Sequence, residues 1–168
     1  LGSQSYNPVF GTTLNAYAPE RTAGGSSGGA AVALALRMLP VADGSDFGGS
    51  LRNPSGWNNI VGFRPTPGMV PAGPNLEVYL SQLPTDGPMA RNIPDLAMLM
   101  SVMAGPHPSQ PLSININPGA FAGSLARDMK GVRVGWLGGY LRQLPLEAGV
   151  YETCMASAHS LEQAGAIV

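Results

Sequence analysis

Apolar residues fall in short runs separated by glycine and proline. Ala30 to Leu39 is apolar nearly all round and rich in strong helix formers, which predicts a buried helix ended by Pro40. Val41-Ala42 predicts a short strand leading into the polar turn Asp43–Ser50. Ile60–Phe63 predicts a second strand, stopped by Pro65 and Pro67. Residues 64–92 are rich in Pro and Gly and have no clear period. Asp95–Met103 predicts a helix closed by Gly105-Pro106. Residues 105–123, with prolines at 106, 108, 111 and 118, read as an excursion. Val132–Trp136 reads as a strand. Glu147–Gln163 reads as an amphipathic helix with Val150, Cys154 and Leu161 on one stripe, stopped by Gly165 before the apolar Ala166–Val168. Residues 1–25 read as loop, punctuated by Asn7-Pro8, Gly11, Asn15 and Pro19. No repeat is visible. Alternating helices and strands predict an α/β fold.

Composition adds a second expectation. The chain has 168 residues, 44% hydrophobic and only 11% charged, where about 25% charged is usual. Low charge with ordinary apolar content points to interior segments of something larger, because a small free-standing domain has much surface to cover. The formal net charge is −1, and without a basic run nucleic-acid binding gets no electrostatic support. A single cysteine excludes an internal disulfide framework. The longest apolar run, Ala30–Leu36, is far short of the roughly 20 residues that span a bilayer, so no membrane role is expected.

The candidate chemistry lies between residues 24 and 52. Gly24-Gly25-Ser26-Ser27-Gly28-Gly29 and Phe47-Gly48-Gly49-Ser50 each place glycines beside serines. Without Cβ atoms, backbone N–H groups can converge on one point. Convergent N–H groups beside a hydroxyl make an oxyanion hole. Asp46 and Arg52 flank the second element at a spacing suited to an ion pair bracing the turn. Three other readings stand beside this one. The first is a flexible Gly-Ser loop. The second is a Ser-His-Asp hydrolase, since Gly-x-Ser-x-Gly occurs on both Ser26 and Ser27 and His159 is available; that elbow needs a strand directly before the serine, and Thr22–Gly25 does not read as one. The third is a non-catalytic binding remnant that keeps a glycine-rich anion site. A phosphate-binding P-loop is excluded, because no Gly-Lys-Ser/Thr follows the glycines.

The run Gly24–Ala31, then Asp43-Gly44-Ser45-Asp46-Phe47-Gly48-Gly49-Ser50-Leu51-Arg52-Asn53-Pro54, then Val61-Gly62-Phe63-Arg64-Pro65-Thr66 resembles the amidase signature family. Gly87-Pro88-Met89-Ala90-Arg91 and the helix after it agree. The resemblance implies a mixed central sheet covered by helices on both faces. It implies hydrolysis of a linear carboxamide through an acyl-serine intermediate, by a Ser-cisSer-Lys triad without metal or organic cofactor. Ser50 matches the nucleophile. Ser26 matches the bridging serine, whose peptide bond from Gly25 is cis in the family. Phe47, Gly48, Gly49 and Ser50 match the oxyanion-hole loop. Asp46 and Arg52, with Ser27 and Gly25, match its supports. Ser45 stands where the family often has Thr. Trp57 and Asn58-Asn59 depart from the smaller or apolar residues expected after Pro54 and read as packing residues, as does the Met98, Met100 and Met103 cluster. Cys154 reads as a small buried apolar residue. Tyr6, Asn7 and Phe10 are candidates for the site entrance.

The family's lysine precedes the first serine, and here no lysine does. The one lysine, Lys130, reads as an exposed surface charge. Residues 1–168 are therefore expected to be a partial amidase signature domain without the N-terminal part that carries the lysine and without the C-terminal part. Alone, they are expected to be inactive. The expected partner is a small-molecule amide, with no direct nucleic acid and no membrane. A homo-oligomer and missing segments on another chain are both left open. The resemblance also covers the glutamine-hydrolysing subunits of tRNA-dependent amidotransferases. A cytoplasmic location is expected.

Overall fold

The computed structural model describes residues 2–72 and 83–168. It divides into two units, residues 1–124 and 125–168. The part of the Pro- and Gly-rich region at 73–82 lies outside the described residues.

The first unit opens with a two-residue hairpin, β1 (Tyr6–Asn7) against β2 (Gly11–Thr12), where the sequence predicts only loop. Asn7 closes its turn by accepting from the N–H of Val9 and Phe10. Helix α1 covers Gly28–Ala35. It starts at the glycines, before the apolar run, and stops earlier than Pro40, at Arg37 with its φ of 61°. Arg91 sends one guanidinium nitrogen to the carbonyls of Leu34, in the last turn of the helix, and Leu39, beyond it.

Strand β3 (Val41–Asp46) is longer than its two apolar residues suggest. It runs through Asp43 and Ser45 because it has a full antiparallel partner in β5 (Thr85–Ala90). β5 is a strand the sequence does not announce. Pro88 sits in its middle, a residue that argues against a central strand. The Pro88 carbonyl still accepts from the Phe63 N–H at 3.1 Å, so pairing survives there. Strand β4 (Val61–Gly62) completes the order β3-β5-β4, all antiparallel. Ala42, Gly44 and Asp46 share one face with their cross-strand partners Met89, Gly87 and Thr85. On that face Ala31 and Leu34 of α1 pack with Leu51 and Met89 as the buried core, joined by Ala30, Ala42 and Ile60. Gly44 is required here, since a Cβ would lie 2.7 Å from Ser27 Oγ and 2.9 Å from Leu51 Cδ2.

Leu51 precedes the short helix α2 (Arg52–Trp57). Helix α3 (Ile93–Met103) starts two residues earlier than expected, because Asn92 caps it by accepting from the Asp95 N–H. Its methionines divide: Met100 is buried and Met98 exposed, so the expected all-core cluster is only partly core. A single turn, α4 (Gly119–Ala122), lies in the proline-rich excursion.

The second unit carries α5 (Gly138–Leu141) and α6 (Val150–Gln163). α6 begins at Val150, after the left-handed Gly149 and three residues later than expected. Cys154 is exposed, which corrects its reading as a buried apolar residue. The buried position of α6 is Ala158, and Tyr151, Met155 and Leu161 are half-buried beside it. The expected strand Val132–Trp136 is reduced to one parallel bridge, Arg133 with Ile167. Two hydrogen bonds make it, Val134 N–H to the Ile167 carbonyl and Ile167 N–H to the Val132 carbonyl, and no longer ladder flanks it among the described residues. No helix among the described residues is long and apolar enough to cross a membrane.

Candidate active site

The first glycine-serine element is tied to the end of β3, the strand that leads into the second. Ser27 precedes α1, and its hydroxyl bonds both backbone groups of Ser45, accepting from the N–H at 3.2 Å and donating to the carbonyl at 3.3 Å. This ties the residue after Ser26 to the residue before Asp46. Ser26 is exposed and Ser50 half-buried.

The Ser26 segment is held from the N-terminal side. The Ser5 hydroxyl accepts from the Gly28 N–H at 3.0 Å and faces the carbonyls of Gly24 and Ser26 at 3.1 and 3.2 Å. The Gln4 backbone lies where a Cβ on Gly25 would be, so only glycine fits there. Gly24 has a φ of 76°, a conformation that also favours glycine. The peptide bond between Gly25 and Ser26 is cis. Tyr6, Asn7 and Phe10 line a cavity of about 260 Å³ together with Ser26 and Gly29.

The second element is organised by Asp46, the last residue of β3 and fully buried. Its carboxylate accepts from the Gly49 N–H at 2.7 Å and the Leu51 N–H at 3.2 Å. Arg52 donates through Nε at 2.9 Å and Nη2 at 3.1 Å. Arg64 Nη1 donates at 2.8 Å and also bonds the Asp46 main-chain carbonyl. Burial by itself would raise the Asp46 pKa; the hydrogen bonds from Arg52, Gly49, Leu51 and Arg64 outweigh it and hold the group well below the usual carboxylate range. The Arg52 pKa is raised in turn by its hydrogen bond and charge attraction to Asp46.

The expected ion pair of Asp46 with Arg52 is therefore present, and the turn wraps onto it. One expectation changes. The sequence counts the N–H of Gly49 among the oxyanion donors, but it is spent on Asp46. No hydrogen bond among the described residues engages the N–H of Phe47, Gly48 or Ser50. Gly49, with a φ of 121°, makes the bend, and its carbonyl starts α2 by accepting from Asn53 at 2.7 Å.

Sequence reasoning misses Arg64 and Ser5. Arg64 stands inside the motif run at 61–66 and so carries a signal. Ser5 carries none. Asn58 is a packing residue, as expected. It is buried, and its side chain bonds the carbonyls of Ala23 and Pro54 and the Ala16 N–H. His159 belongs to the second unit and bonds Glu162 at 2.8 Å. The His107 ring accepts from the Ser109 N–H. No hydrogen bond among the described residues joins the His107 imidazole to Ser26, Ser27 or Ser50.

The family model Amidase matches residues 1–168. The chain is 38% identical to a glutamyl-tRNA(Gln) amidotransferase subunit of Acinetobacter baylyi, covering 100% of this chain and 34% of that protein. It is 41% identical to the corresponding amidotransferase subunit of Deinococcus radiodurans, again over 100% of this chain and 34% of the relative. A bacterial aryl acylamidase of the amidase signature enzymes superposes with a TM-score of 0.88 at 30% identity, over 99% of this chain and 34% of that one. The chain thus spans about a third of the length of the proteins it matches. With its sheet, its paired glycine-serine elements and this match along its whole length, the chain belongs to the amidase family.

Proposed function

We propose that these residues carry the acylating centre of an amidase that hydrolyses a linear carboxamide, with Ser50 as nucleophile and Ser26 as proton relay. The observation that carries this reading is the loop clamped by Asp46. It leaves the N–H groups of Phe47, Gly48 and Ser50 without a hydrogen-bond partner among the described residues, in the stretch of chain that ends at the Ser50 hydroxyl. Such donors, fixed before reaction, stabilise the oxyanion of a tetrahedral intermediate.

The Ser50 oxygen attacks the amide carbon, and its proton passes through the Ser26 hydroxyl to a neutral lysine. The carbonyl oxygen takes the negative charge and is held by the loop N–H groups. The carbon–nitrogen bond then breaks, and the proton returns to the leaving ammonia or amine. Water attacks the resulting ester, releasing the carboxylate and restoring the serine. The lysine is assigned outside these 168 residues. Lys130 is exposed, and its N–H bonds the Asp128 carboxylate in a surface turn of the second unit. In this reading Phe47 and Gly48 hold the oxyanion, Arg52, Ser27 and Gly25 shape the loops, and the chemistry needs no metal or organic cofactor.

A second reading has a specific support. The curated relatives are named as glutamyl-tRNA(Gln) amidotransferase subunits, so the same centre would release ammonia from glutamine within a multi-chain assembly. Steady-state hydrolysis of glutamine and of an arylamide by the full-length polypeptide separates the two. Loss of either activity in Ser50→Ala, by at least about 10³-fold, supports the common mechanism. Retained activity in that variant contradicts it.

A further inference from the structure

Asp46 is held by two guanidinium groups that do different work. Arg52 is the first residue of α2, six positions from Asp46, and more than half exposed (56%). Both of its bonds go to the carboxylate, so it moves with the loop it braces. Arg64 comes from the far side of β4 and is 22% exposed. Its Nη1 bonds both the main-chain carbonyl and the carboxylate of Asp46. Its Nη2 donates to the Leu83 carbonyl at 2.9 Å, two residues before β5. One planar group thus fixes the end of β3, the carboxylate that gathers the 47–51 loop, and the approach to β5. A planar fork of this kind is something a lysine cannot reproduce.

We propose that Arg64, more than Arg52, is the positioning residue that sets the oxyanion loop against the sheet. The proposal rests on the reading of Ser50 and its loop as the acylating centre. Arg64 touches no reacting atom. It acts through Asp46, and without it the buried carboxylate keeps only an exposed arginine as counter-charge. Among the described residues, the other hydrogen-bond and ladder partners of Asp46 are uncharged. They are the N–H groups of Gly49 and Leu51 and, across the ladder, Thr85. Asp86 alternates to the opposite face. Removing Arg64 therefore lets Asp46 take up a proton at higher pH, and the loop N–H groups lose their anchor there.

The test is the rate at which a fluorophosphonate modifies Ser50 in the full-length polypeptide, measured against pH for Arg64→Gln, Arg64→Lys and Arg52→Gln. Arg64→Gln should lower the maximal rate by about 10- to 100-fold, the cost of a small misplacement of catalytic groups. Arg64→Lys should fall between it and the unsubstituted protein, and Arg52→Gln should lose less than Arg64→Gln. If circular dichroism shows Arg64→Gln to be unfolded, Arg64→Lys carries the test. A slower rate for Arg64→Gln that Arg64→Lys partly restores supports the proposal, and unchanged behaviour overturns it. Equal or greater loss in Arg52→Gln also overturns it. An unsubstituted protein that labels elsewhere than Ser50 removes the acylating-centre reading and this proposal together; normal labelling with silent Arg64 variants removes this proposal alone.

Discussion

At Asn58 one buried amide serves three backbone groups from separate segments, at Ala16, Ala23 and Pro54. Truncation strips the fully buried Ala23 carbonyl and the half-buried Ala16 N–H of this partner, while the Pro54 carbonyl keeps the Asn58 main-chain N–H. Asn58→Ala should therefore cost about 2–4 kcal/mol, read as a lower midpoint in urea unfolding. Asp46 gives the pH dependence. Its folded pKa lies below the unfolded value, so the stability it contributes is complete above the unfolded pKa and is lost as pH falls through the folded one. Replacing it with Asn should lower the thermal midpoint at pH 7 and flatten the acid side of the profile. Asp86 runs the other way. Burial, with a smaller push from the charge of Asp43, raises its pKa. Stability is then present at low pH and is lost as pH rises from the unfolded carboxylate value through the folded one. Asp86→Asn should raise the midpoint at pH 7 relative to the parent, with the gap closing on acidification. A lower midpoint at pH 7 would contradict that sign.

Among the elements, α1 and the sheet position the site. Leu34 is fully buried between them, so Leu34→Ala should cost about 2–5 kcal/mol, measured by chemical denaturation. The sequence reveals this architecture unevenly. α1, α3 and α6 are legible because their runs of strong helix formers end at glycine or proline. β5 is hidden by Pro88, whose missing N–H is tolerated because its carbonyl still pairs with Phe63. β3 reads short because Asp43 and Ser45 are polar, although ladder pairing with β5 extends it through them. The turn from Asp46 to Arg52 is legible because both ends of the ion pair and the intervening glycines sit close together in the chain. Arg64 and Ser5 reach the site across 18 and 21 residues, and no local pattern announces contacts of that length. Val132–Trp136 reads as a strand from its alternation, yet a strand needs a neighbour, and only Ile167 bridges to it among the described residues.

Across the whole molecule, the low charge fraction has a visible counterpart. Val9, Phe10 and Val102 leave apolar side chains exposed by 77%, 88% and 76%. The relatives are about three times as long as this chain. In the proposed apparatus, nucleophile, relay and oxyanion loop are assigned within these residues, and the general base is assigned outside them. The most direct test is peptide mapping of the full-length polypeptide after treatment with a fluorophosphonate. The expected result is one adduct, on Ser50, abolished by Ser50→Ala and unaffected by His159→Ala. An adduct on Ser26 or Ser27 that disappears in His159→Ala would contradict the division of roles proposed for Ser50 and Ser26.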